Sequence, residues 1–265
     1  MVRQGVRVIG ACVFAAAAAV SACDAHGTSQ GASRSKRYED LASLFTEWRT
    51  FQKPKLADGV PDYTAGAMAA QQRQIGSYQG RLAAIDPAGW PVSQQVDWQL
   101  VSAEMSGLDF DHRVLKPWAA NPAFYVTVFS SQSDQPAREG PTAYGSIELW
   151  TYAFPLTVER ARQLDEGVRV IPRFLEQAKT NLVGNGKDLW VFGARRLKEQ
   201  SADLTALAAR VASGPDALKT DVQRAKDATD AFVAWLVSQT PSKTGTSGTG
   251  VENYDWYLKH VQLVP

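Results

Sequence analysis

Residues 156–182 read LTVERARQLDEGVRVIPRFLEQAKTNL. Within them Val158, Ala161, Leu164, Val168, Ile171, Leu175, Ala178 and Leu182 recur three or four residues apart throughout. A helix of 3.6 residues per turn brings such positions to one face, whereas a strand alternates every second residue. Pro172 lies inside the pattern and has no N–H to donate, so a kink or break is expected near Ile171. The same reading extends in both directions. Lys36–Phe51 carries Leu41, Leu44, Phe45 and Trp48; Thr64–Ala84 carries Met68, Ile75, Tyr78 and Leu82; Val92–Arg113 carries Trp98, Val101, Met105 and Leu108. Lys187–Ala212 and Asp216–Gln239 follow, the latter with Leu218, Val222, Ala225, Phe232 and Leu236. Breaks are marked by Pro54, Pro87–Pro91, Pro117, Pro122, Gly184-Asn185-Gly186, the irregular stretch Ser130–Gly145 and the Gly/Ser/Thr loop Thr240–Gly250. Tyr125–Phe129 (YVTVF) is the best strand candidate, and it is short. No repeat of 20–50 residues recurs. The expected fold class is all-α: an irregular multi-helix array with no solenoid period.

The chain has 265 residues, 45% of them hydrophobic and 21% charged, which is a globular composition. Its 28 basic and 27 acidic residues nearly cancel, so no strong field steers polyanions and no nucleic-acid partner is expected. Three histidines (His26, His112, His260) and two cysteines (Cys12, Cys23) cannot build a zinc finger or a disulfide framework.

Arg3 and Arg7 precede the apolar run Val8–Val20 (VIGACVFAAAAAV). As a helix this run extends about 20 Å, short of a hydrocarbon core of about 30 Å, so it reads as an export signal and not a permanent span. Val20-Ser21-Ala22-Cys23 then resembles the bacterial lipobox, in which the cysteine thiol receives a diacylglyceryl group and becomes the mature N-terminus. The expected organisation is a lipoprotein signal peptide at 1–22, a flexible tether at 23–35 and a helical domain at 36–265. The expected location is the cell envelope, extracytoplasmic and held to the membrane through Cys23. Cleavage removes Arg3 and Arg7, leaving 26 basic against 27 acidic residues and a net charge of −1. It also removes Cys12, so no disulfide is possible.

Chemical motifs are scarce. Asp109-Phe110-Asp111-His112 groups two carboxylates with an imidazole, but adjacent helical positions point about 100° apart, and the expectation is a solvated helix end. Glu252, Tyr254, Lys259 and His260 share a segment with Trp256 and Tyr257; Glu252, Tyr254 and His260 are candidates for lining a groove, against the alternative of an aromatic packing segment. Gly184-Asn185-Gly186-Lys187 lacks the frame of a phosphate loop and follows a helix. No G-x-S-x-G and no H-E-x-x-H occurs. No catalytic, cofactor or metal residue is assigned, and the eight tryptophans read as core.

From Phe45 to Pro265 the chain resembles the N-terminal half of a bacterial family, domain of unknown function 885. The residues that carry the resemblance are Pro61-Asp62-Tyr63, Leu82-Ala83-Ala84-Ile85-Asp86 and Asn121-Pro122-Ala123-Phe124-Tyr125. Further along they are Ile171–Ala178 with Asn181-Leu182, and Gly250–Tyr254 with Trp256-Tyr257-Leu258. The resemblance implies a mostly helical, zincin-like architecture of about twice this length. Its members look like zinc metallopeptidases whose H-E-x-x-H helix lies in the C-terminal half. No zinc is thereby implied for this chain, and no metal ligand transfers to it. The expectation is a scaffold part, inactive alone. Tyr254, Trp256, Tyr257, Leu258, Val261, Leu263 and Val264 would then offer an apolar face to a missing C-terminal half, unless the segment folds back onto its own core. The alternative is a complete, non-enzymatic helical lipoprotein that binds a partner or ligand at the envelope; a small enzyme using carboxylates alone is a third reading. The DNA after codon 265 discriminates the first two.

Overall fold

The structure, a computed structural model, describes residues 34–132 and 141–265. The signal peptide, Cys23 and nearly all of the tether lie outside the described residues, as does the middle of Ser130–Gly145. Helix α1 is Tyr38–Phe51, α2 Ala65–Ala83 and α3 Val92–Phe110. A π-helical turn, Asp111–Leu115, extends α3 and leads to the short α4, Pro117–Ala120. Beyond α4 and a stretch of short turns and strands come α5 (Val158–Val168), α6 (Ile171–Asn181), α7 (Lys187–Arg210), α8 (Asp216–Gln239) and α9 (Val251–His260). The fold is all-α, an irregular array of helices.

Local chemistry sets the boundaries. Pro172 sits in the first turn of α6, where its missing N–H costs no hydrogen bond, and the helical run parts between Val168 and Ile171. The Thr64 hydroxyl accepts from the Ala67 N–H to cap α2, and Thr157 does the same for Arg160 at the start of α5. Strands are vestigial among the described residues. β1 (Leu56–Ala57) and β2 (Val60–Pro61) form a hairpin whose turn, Asp58-Gly59, has both φ angles positive. Of the short strand candidate Tyr125–Phe129 only β3, Val128–Phe129, forms, paired in parallel with β4, Ile147–Glu148. Tyr125 belongs instead to a 3-10 turn, Pro122–Tyr125, which the Asn121 side chain caps by accepting from the Ala123 N–H.

Two hydrophobic clusters result. The larger is built on α5–α8. Helices α7 and α8, 24 residues each and so about 36 Å long, pack Trp190, Leu197, Leu204 and Leu207 against Val222, Ala225, Phe232 and Leu236. Gly193 lets α7 approach the 3-10 turn: a Cβ there would stand 2.6 Å from the Cβ of Pro122. The smaller cluster is made by α1–α3 around Trp48, with Leu41, Leu44, Ile75, Leu82, Val101 and Met105. Of the tryptophans expected in the core, Trp48 and Trp190 are fully buried, whereas Trp150 lies exposed on the surface.

Candidate functional site

An open groove of about 860 Å³ runs between α1 and α3, closed at one end by Val261. The stripe that α3 turns inward, Val101 and Met105, belongs to the small core. The neighbouring stripe is different in kind. Asp97, Glu104 and Asp111 stand seven residues apart, so they share one face and line the groove between the apolar walls of Leu41, Phe45, Leu100 and Leu108. Among the described residues no Lys or Arg lines it. Two of the acids are engaged: the Tyr38 hydroxyl donates to Asp97 at 2.7 Å, and Arg49 at the rim stands 3.5 Å from Glu104. Asp111 accepts no side-chain hydrogen bond or ion pair among the described residues, and burial pushes its carboxyl from the ordinary 3.8 up to about 7.

The reading of Asp109–His112 as a solvated helix end is corrected here. The π-helical turn continues the helix, and adjacent residues face opposite ways: Asp111 faces the groove, whereas His112 is 2% exposed. The Gln71 amide donates to the carbonyls of Phe51 and Gln52, so its oxygen is left to accept, and His112 Nε2 carries the proton it donates across 2.9 Å. The imidazole also lies against Trp118, with ring centroids 4.7 Å apart. Burial holds its pKa down to about 4, although the nearby Asp109 works in the opposite direction, so the ring is neutral. His112 thereby joins α2 and the end of α1 to the main core. Asp109 is spent on Arg113, four residues on, at 2.6 Å. Among the described residues no three His, Cys, Asp or Glu side chains gather as a metal site would require.

Tyr63, Tyr125, Gln177 and Asn181 form a buried clasp. Tyr125 donates its hydroxyl to the Trp118 carbonyl at 2.6 Å and accepts from the Asn181 amide at 3.0 Å. Asn181 also donates to the Tyr63 carbonyl, Gln177 accepts from the Tyr63 N–H, and the Tyr63 hydroxyl accepts from the Tyr144 N–H. Burial raises both phenols, Tyr63 to about 12. These groups tie β2 and the 3-10 turn to α6. Gln200, missed in the sequence reading, makes a second such clasp. Its oxygen accepts from the N–H groups of Thr127 and Val128 at 2.7 and 3.1 Å, while its amide donates to Thr229. A lone glutamine on the apolar face of α7 was the only signal that could have revealed it.

Glu252, Tyr254 and His260 fall on α9, and none of the three lines the groove. Glu252 and His260 are exposed, and the His260 ring lies 4.7 Å from that of Trp256; Tyr254 is 57% exposed on another face. The apolar terminal segment divides in two. Trp256 stacks on Phe110 at 5.6 Å beneath the Arg113 guanidinium, and Tyr257 tilts against the same ring, so these two, with Leu258 and Val261, are half-buried. Tyr254, Leu263 and Val264 remain exposed. Part of the segment folds back onto α3 and part does not.

No family model matches the chain, and no curated protein matches it. A solved structure does. It is a protein of Shewanella oneidensis described as a candidate lipoprotein of unknown function, similar with a TM-score of 0.60 at 15% identity. The chain shares that protein's fold. The match covers 85% of this chain and 42% of the other, so this chain spans less than half of that protein's length. A likeness at this identity concerns the fold and not the function.

Proposed function

We propose that the chain is a lipid-anchored helical module of the cell envelope, the scaffold part of a longer metallopeptidase-like lipoprotein, without hydrolytic activity of its own. The observation that carries this reading is the fold match, which spans most of this chain but only 42% of a protein described as a candidate lipoprotein. Val20-Ser21-Ala22-Cys23 after a short apolar run supplies the anchor. With two or three acyl chains, each buried CH₂ contributing about 0.8 kcal/mol, attachment is stable where one chain would be marginal. Among the described residues no helix is long and apolar enough to cross a membrane. Zinc belongs, in the family that the chain resembles, to an H-E-x-x-H segment. The donor groups among the described residues do not fit such an ion.

Mass spectrometry of the mature N-terminus tests the anchor: a diacylglyceryl Cys23 is expected, and a free Cys23 or cleavage at another bond overturns it. Sequencing beyond codon 265 tests the scaffold reading, which expects a continuation, in frame or shifted, that encodes H-E-x-x-H. Peptide hydrolysis by the purified mature chain that survives a chelator overturns the inactivity claim.

A second reading, a non-enzymatic lipoprotein that binds a partner, is favoured by one observation: the acid-lined apolar groove beside α3.

A further inference from the structure

We propose that the groove between α1 and α3 docks a basic amphipathic helix of a partner protein, its apolar face on Phe45, Leu100 and Leu108 and its cations toward Asp97, Glu104 and Asp111. This inference rests on the partner-binding reading and is independent of the lipid anchor.

Shape is the first argument. From Asp97 to Asp111 the groove follows α3 for about 21 Å, the length of some four helical turns, and it is open along one side as helix-in-groove recognition requires. The apolar surface does not stop at the groove. Val92, Val96 and Leu100, each four residues from the next, continue it along α3 and are all exposed, Leu100 at 51%. An exposed apolar stripe of this kind is unusual on a helix whose other side already packs in a core.

Charge decides the occupant. Helix α3 contains Asp97, Glu104 and Asp109 and no basic residue, and among the described residues the groove walls hold three carboxylates and no cation. The bases nearby are committed: Arg49 at the rim to Glu104, and Arg113 to Asp109 and the Trp256 ring on the far side. Among the described residues Asp111 has no side-chain partner, and Leu108 and Val261 line the groove with it. A carboxylate so placed carries a desolvation penalty that an incoming ammonium or guanidinium relieves, so the wall selects cations over neutral or acidic segments. The heptad spacing of the acids matches that of cations on one face of an α-helix. An anionic membrane surface is disfavoured by the same charges.

The test uses the mature chain and two fluorescein-labelled model peptides. Both are Leu-rich amphipathic helices, one with lysines seven residues apart and the other with glutamates in their place. Anisotropy is expected to show saturable, salt-weakened binding of the lysine peptide alone. Asp111→Asn is expected to weaken it roughly tenfold, the loss of one desolvated charge pair. Leu100→Gln is expected to weaken it as well, whereas Val191→Gln, at an exposed apolar position on α7, leaves it unchanged. Circular dichroism establishes that each variant is folded. Equal binding of both peptides, no binding, or binding indifferent to Asp111→Asn overturns the proposal. Self-association of the chain without peptide, abolished by Leu100→Gln, would assign the groove to a second copy and equally overturns it. A failure here leaves a diacylglyceryl Cys23 untouched, so the anchor and the groove are judged separately.

Discussion

The α1–α3 module and the α5–α8 module are built by the same rule and finish differently. In the larger module α7 and α8 bury a continuous stripe from Trp190 to Leu207 and from Leu218 to Leu236, and polar groups inside it, such as Gln200 and Thr229, are satisfied by each other and by backbone. In the smaller, eight buried residues form the core, and α3 packs on α2 on one side while its Val92-Val96-Leu100 stripe stays open. The large module also leaves Val191, Phe192 and Val237 exposed, but the small one leaves a stripe at four-residue spacing, Val92-Val96-Leu100, beside a groove lined by acids. A helix face left uncovered in a packed protein, with acids set along it, marks where recognition is to be sought.

Removing the centre of the small module separates the two most sharply. Trp48→Ala deletes a fully buried indole and is expected to cost about 3–5 kcal/mol. Hydrogen exchange should then show α1–α3 opening while α7 and α8 stay protected; uniform loss of protection would mean that the modules unfold as one unit. Next in size is Gln200→Leu, which keeps the bulk but strands the N–H groups of Thr127 and Val128. A loss of about 3 kcal/mol in denaturant unfolding is expected, and a neutral result would remove the second clasp from the account.

The junction gives the third effect, and its sign follows from each pKa. His112 is held down to about 4 from 6.5, so its contribution is intact above pH 6.5 and is lost as pH falls toward 4. Asp111 is raised to about 7 from 3.8, so it penalises folding above pH 7 and the penalty lifts as pH falls toward 4. The two oppose each other over the same window. Asp111→Asn should therefore steepen the acid-side loss of stability and His112→Gln should reverse it, both read from Tm between pH 4 and 7. Parallel profiles for the two variants would show that these residues do not titrate as described. The smallest effect is expected from Leu100→Gln, within about 0.5 kcal/mol, because an exposed side chain contributes to docking and not to the core.

The helices were legible because each core stripe is local. The break at Pro172, the run Asp216–Gln239 and the face Trp98-Val101-Met105-Leu108 need only neighbours three and four residues away. The groove was not, for the same reason seen from the other side: Asp97, Glu104 and Asp111 occupy the stripe beside the apolar one and read as ordinary solvated positions until α1 is laid against them. His112 is buried through Gln71, which lies 41 residues earlier in the chain, and no local pattern announces such a partner. Among the terminal residues, apolarity alone did not distinguish Trp256, which finds Phe110, from Tyr254, which finds no cover.

The π-helical turn at Asp111–Leu115 acts as a phase shifter. The Lys116 N–H reaches back five residues to the Asp111 carbonyl, at 2.7 Å, so this turn holds one residue more than its neighbours. Up to Asp111 the backbone keeps the acidic stripe in step along the groove; beyond it, the added residue resets the azimuth of everything that follows. Deleting one residue here would rotate the downstream segment by about 100° and carry Trp118 away from the imidazole it covers. A single inserted residue thus uncouples two faces that a regular helix would have forced to share one choice.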